Sequence, residues 1–124
     1  MADLELHLAA TDEAPHHARE EIRAQLADRI PATTLYDLLT IVSELVANGV
    51  IHGSGDTVEV RISVNGDGLL HGEVSNEGEG EIQPQPVDVH GGSGLGLRIV
   101  DAIAERWHAV GDGPTRVEFE LRTP

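Results

Sequence analysis

Residues 91–107 read GGSGLGLRIVDAIAERW. Glycines at 91, 92, 94 and 96 run straight into a segment, about Leu95 to Trp107, that reads as a helix. A helix that starts this way leaves backbone N–H groups without intrahelical partners and presents the positive end of its dipole. That is a place for a phosphate which needs no lysine. No Gly-Lys-Ser/Thr follows, so the stretch is not a Walker loop. It neither follows the first strand nor opens a βαβ unit, so it is not a dinucleotide fingerprint. The alternative reading of these glycines is a flexible linker.

Upstream of this stretch, residues 76–94 are rich in Gly, Pro and Glu and have little periodicity. Loops this long inside a compact domain are usually functional. The loop opens as Asn76-Glu77-Gly78-Glu79-Gly80, directly after a segment that reads as a strand. Alternating glycines let a backbone approach a flat ligand closely, and a side chain at position 76 points toward a pocket. Taken alone, NEGEG is also what an ordinary loop contains.

Further upstream, Thr34 to His52 reads as a helix with an apolar stripe of Leu38, Ile41, Val42, Leu45 and Gly49. Thr34 with Asp37 resembles a capping start, and Gly53-Ser54-Gly55 ends it. Glu44 and Asn48 are four apart, so they lie on one flank of that stripe, roughly 40° apart around the axis. A carboxylate there can accept a proton or orient a hydroxyl. An Asn oxygen suits magnesium, a hard, oxygen-preferring ion. The alternative is a solvated helix flank.

The remaining elements follow from local pattern. Residues 3–8 alternate as a short edge strand, and 16–29 form a helix with Ala18, Ile22, Leu26 and Ile30 at i, i+4 spacing before Pro31. Residues 57–64 and 69–75 are strands joined by Asn65-Gly66-Asp67-Gly68, a hairpin signal. Strands at about 108–110 and 116–122 close the chain. Strands in hairpins with separate helices predict an α+β two-layer sandwich: a mixed, mostly antiparallel sheet covered on one face by about three helices.

The 124 residues suit a single domain, 1–124. Trp107, Tyr36 and Phe119 are the aromatics, so Leu, Val, Ile and Ala must build the core; Trp107 is expected to be part of it. Lys plus Arg number 8 against 22 Asp plus Glu, a formal charge of -14. That acidity disfavours nucleic acid and anionic lipid and suits a basic protein partner, or solubility alone. There is no cysteine, which excludes disulfides, thiol nucleophiles and Cys-ligated zinc. His16, His17 and His90 lack metal-ligand spacing, and His52 suits a helix C-terminus. No secretory leader is read at the N-terminus and no continuous apolar run approaches the ~18 residues of a membrane span. A cytoplasmic location is expected.

The three clues together are far more specific than any one. SELVANGVIHG (43–53), SNEGEGEI (75–82), GGSGLGLRIVDAIAERW (91–107) and GPTRVEFEL (113–121) resemble, in order and spacing, the boxes of the GHKL (Bergerat-fold) ATPases. Among these the chain looks most like the bacterial anti-sigma-factor serine/threonine kinases. The resemblance implies ATP and Mg2+ as cofactors. It makes Glu44 the general base toward a serine hydroxyl and Asn48 the magnesium ligand. It sets Asn76 at the adenine amino group with Gly78 and Gly80 shaping that wall. Ser93, Gly94, Leu95 and Gly96 surround the phosphates, and Thr115 lines the adenine end. Arg19 falls where related kinases use an arginine with the protein substrate. A sigma factor and an anti-anti-sigma protein are the implied partners, with no direct nucleic acid or membrane contact and a possible homodimer.

Two departures stand out. The family's first glycine box begins with Asp, and here Asn76 stands in that place. A charge-assisted hydrogen bond is lost, which predicts weaker adenine binding by ~1–2 kcal/mol. The segment 81–92 is also short and lacks Lys and Arg. A regulatory kinase and a binding module with an impaired nucleotide pocket therefore both remain open. The catalytic domain of a sensor histidine kinase is disfavoured, because the chain carries no phosphoacceptor hairpin.

Overall fold

The computed structural model describes residues 2–52, 56–77, 92–110 and 116–123. Its elements run β1 (Leu4–Ala9), α1 (Ala14–Leu26), α2 (Ala32–His52), β2 (Thr57–Val64), β3 (Leu69–Glu77), α3 (Gly92–Ile103), β4 (Arg106–Val110) and β5 (Arg116–Arg122). The five strands form one sheet in the order β1-β2-β3-β5-β4, antiparallel at every pairing. The α+β sandwich expected from the sequence is thus present, and its described sheet is wholly antiparallel rather than mixed.

Alternation decides which face is covered. Val58, Val60 and Ile62 of β2, Leu70 and Val74 of β3, and Phe119 and Leu121 of β5 are buried. The residues between them face outward, where Arg116 pairs with Glu73 across β3 and β5, and His7 and His71 lie against Glu59 and Glu118 of the neighbouring strands. The inward set meets the apolar stripes of the helices: Ala14, Ala18, Ile22 and Leu26 on α1, and Leu38, Ile41, Val42, Leu45 and Val46 on α2. α2 touches both α1 and α3 and packs on β2, β3 and β5. Its residues Ala32–Ile51, 20 in number, are long and apolar enough to cross a membrane by length and composition, unlike the sequence expectation. Here its most apolar side is spent on the sheet.

Element boundaries differ from expectation for local reasons. α1 starts earlier, at Ala14, with Pro15 in its first turn, where a missing N–H costs nothing. It ends at Leu26, and Ile30 reaches the core from the connection that follows. α2 begins at Ala32, so Thr34 is a buried first-turn residue rather than a cap. α3 starts at Gly92 rather than Leu95 and stops at Ile103. Trp107 therefore belongs to β4; it packs half-buried against the core while its indole N–H donates to Asp101 at 2.8 Å.

Two glycines fix the sheet. Gly68 closes the β2–β3 turn with φ of 87°, a left-handed conformation that a side chain disfavours. Gly72 lies opposite Phe119, and a Cβ there would stand 2.1 Å from the ring's Cζ. The Phe119 ring occupies the space a side chain would take.

Candidate functional site

The site is built where the C-terminal half of α2 crosses the end of β3. On β3 the inward positions are Leu70, Gly72, Val74 and Asn76, so alternation alone aims Asn76 at the helices. It is 7% exposed, and among the described residues only Thr34 shares that depth as a buried polar side chain. Burying an amide costs free energy unless it finds partners, so this residue is out of place in a purely structural core.

Its neighbour across the gap is Gly49. A Cβ built on Gly49 would lie 2.7 Å from Asn76 Oδ1 and 3.4 Å from Cγ and Nδ2. The amide thus rests on bare helix backbone, one residue beyond Asn48. Asn48 and Glu44 are half-buried on the same helix, one turn apart. The Asn76 amide rests against α2 at Gly49, the residue that follows Asn48.

Arg19 sits on α1 beside the same helix. Its Nη1 donates to Ser43 Oγ at 3.0 Å, and Ser43 is the residue before Glu44. The sequence pattern gave Arg19 no such partner, because the contact spans 24 positions.

Ser93, Gly94, Leu95 and Gly96 fall within the first two turns of α3, so the glycine-rich stretch is itself helical. Backbone N–H groups in a first turn have no intrahelical acceptor. Gly78, Gly80, Thr115 and His90 lie outside the described residues. His52 is the last residue of α2.

One cluster was not legible from spacing. Glu5, His7 and Glu59 bring their ligating atoms within 4.8 Å of one another on the outer sheet face, remote from α2. The β1–β2 register places His7 opposite Glu59, and their side chains pair at 2.9 Å. His16 and His17 lie near Glu20 and Glu13, one turn away on the exposed side of α1.

The family model for the histidine kinase-, DNA gyrase B- and HSP90-like ATPases matches residues 34–124. The chain belongs to this ATPase family. The matched span covers α2 from Thr34 onward and the whole of β3. No curated protein sequence matches significantly. Among solved structures, that of the RsbU and RsbW domains of Rv1364c from Mycobacterium tuberculosis is similar, with a TM-score of 0.77 and 23% identity, over 97% of this chain and 31% of that one. The histidine kinase domain of the blue-light activated histidine kinase EL346 from Erythrobacter litoralis gives a TM-score of 0.58 and 20% identity, over 92% of this chain and 64% of that one. The chain spans less than two thirds of either protein, and both likenesses concern the fold.

Proposed function

We infer that this ATPase-family domain is a regulatory serine/threonine protein kinase of the anti-sigma type. It binds Mg-ATP, phosphorylates a serine of an anti-anti-sigma partner and sequesters a sigma factor. The observation that carries the nucleotide half of this reading is the buried Asn76 amide resting on Gly49 beside Asn48. The likeness to a structure that contains an RsbW domain supports the partner half.

The residues fit the cofactors they would hold. Asn48 offers a neutral, hard oxygen, which suits magnesium. Asn76 offers an acceptor to the adenine amino group, and the resemblance assigns Gly78, Gly80 and Thr115 to the same end of the site. The first turn of α3, which opens at Gly92 and holds Ser93 and Gly94, offers backbone N–H groups to an anion in a chain whose net charge otherwise opposes one, with Leu95 and Gly96 following in the same stretch. ATP supplies the phosphoryl group. Glu44 accepts the proton of the serine hydroxyl, and Arg19 helps to seat the protein partner. The domain works in the bacterial cytoplasm, away from nucleic acid and membrane, and pairs as a homodimer.

A second reading is favoured by Asn76 itself and by the lack of Lys or Arg in residues 81–92. In it the chain acts through protein contact alone and holds nucleotide poorly. Calorimetric titration of Mg-ATP into wild type and Asn48→Ala decides between them. Binding that the substitution removes supports the kinase. Absence of binding by wild type at millimolar ATP transfers the lead to the second reading.

A further inference from the structure

The geometry points to Gly49 and Asn76 as a coupled pair that makes the base end of this pocket tolerant of both 6-amino and 6-oxo purines, so that GTP is accepted beside ATP. The inference rests on the nucleotide reading above and names the substrate class of the same site.

Two observations support it. The first is the kind of group buried here. Asn76 presents a neutral amide, with one acceptor oxygen and two N–H donors. The 6-amino group and N1 of adenine are a donor beside an acceptor. The 6-oxo group and N1–H of guanine are an acceptor beside a donor. A carboxylate only accepts: set opposite position 6 it meets the adenine amino group, but on guanine it faces the oxygen and must shift toward N1–H to find a donor. A site built around one donor–acceptor pattern rejects the base that lacks it. An amide meets either pattern by exchanging its oxygen and nitrogen.

The second observation is that Gly49 leaves room for that exchange. The terminal torsion of Asn is broad and roughly two-fold. Both ends of the amide lie against α2, with Oδ1 at 2.7 Å and Nδ2 at 3.4 Å from the position of an absent Cβ. Gly49 carries no side chain, so neither orientation of the amide meets one there. A methyl group at that position would stand too close to Oδ1 to leave the amide where it is. Alanine also suits a helix better than glycine. A loss of ligand without loss of fold is therefore readable in a Gly49→Ala variant.

Equilibrium binding of Mg-ATP and Mg-GTP to wild type, Asn76→Asp, Gly49→Ala, Asn76→Ser and the double variant Gly49→Ala/Asn76→Ser tests this, with circular dichroism and thermal melting confirming the fold. Wild type is expected to bind the two nucleotides within about tenfold of each other, and Asn76→Asp to favour ATP by more than about tenfold. Gly49→Ala should weaken both nucleotides about tenfold when Asn76 is present, and by no more than about twofold in the Asn76→Ser background. A purely structural role for Gly49 would give the same loss in both backgrounds and overturns the coupling. Wild type that binds ATP and excludes GTP overturns the purine tolerance while leaving the nucleotide pocket standing. Wild type that binds neither overturns the nucleotide reading and this inference with it.

Discussion

Arg19 Nη1 donates to Ser43 Oγ over 3.0 Å, and Ser43 in turn donates to the Leu39 carbonyl at 2.6 Å. The pair fastens α1 to α2 one residue ahead of Glu44. A side chain expected to meet a partner is thus also an internal tie. Ser43→Ala removes the acceptor for Arg19 and should lower the unfolding free energy by about 1 kcal/mol. Urea denaturation measures the loss. Mg-ATP affinity should stay at the wild-type value, because Ser43 lies outside the set assigned to the nucleotide.

Glu44→Gln keeps the size of the side chain and removes its ability to take a proton. Nucleotide affinity should be retained while turnover, followed as ADP formation, falls by about 10²–10⁴-fold. Turnover equal to wild type would remove Glu44 from the role of base.

Gly72→Ala places a methyl group into the Phe119 ring. Overpacking of a filled core should cost about 3 kcal/mol, visible as a large drop in the urea midpoint. Combining it with Phe119→Leu should recover part of that loss, since the two sites share one space.

Asp3 accepts from Val64 N–H at 2.6 Å and pairs with Arg29 at 2.8 Å. The Arg29 hydrogen bond, then the Val64 N–H, holds its carboxyl below the ordinary 3.8. A depressed carboxylate contributes stability at pH above its unfolded value, and this contribution disappears as pH falls through the folded value. Asp3→Asn should therefore cost about 0.5–1 kcal/mol at pH 7 for so solvated a pair. The difference from wild type should shrink as the pH falls below about 4. Denaturation midpoints across that range test it.

Much of this was legible in the sequence because period and face are local properties. Val58, Val60 and Ile62 announce a half-buried strand, and the Leu38–Leu45 stripe announces the helix that covers it. Asn76 is read from the sequence as the first residue of the loop; β3 instead runs on to Glu77, and that extension puts Asn76 on the same face as Leu70, Gly72 and Val74. Cross-chain contacts were not legible. Nothing in residue spacing joins Arg19 to Ser43, Gly72 to Phe119 or Gly49 to Asn76, because each needs a register or a helix packing that only the fold supplies. The helix expected from about Leu95 to Trp107 stops at Ile103. Trp107 instead pairs with Phe119 across β4 and β5.

The strand order has a consequence for how the molecule is made. β5 is the last strand in chain order, yet it lies between β3 and β4. While the polypeptide is still emerging from the ribosome, β1, β2 and β3 can pair, but β3 keeps an open edge and β4 has nothing to pair with. The ring of Phe119, which fills the space above Gly72, also arrives last. The nascent domain thus carries an unsatisfied strand edge beside an uncovered patch until residues 116–122 are synthesised. In that interval it is most exposed to misassembly and most in need of chaperoning.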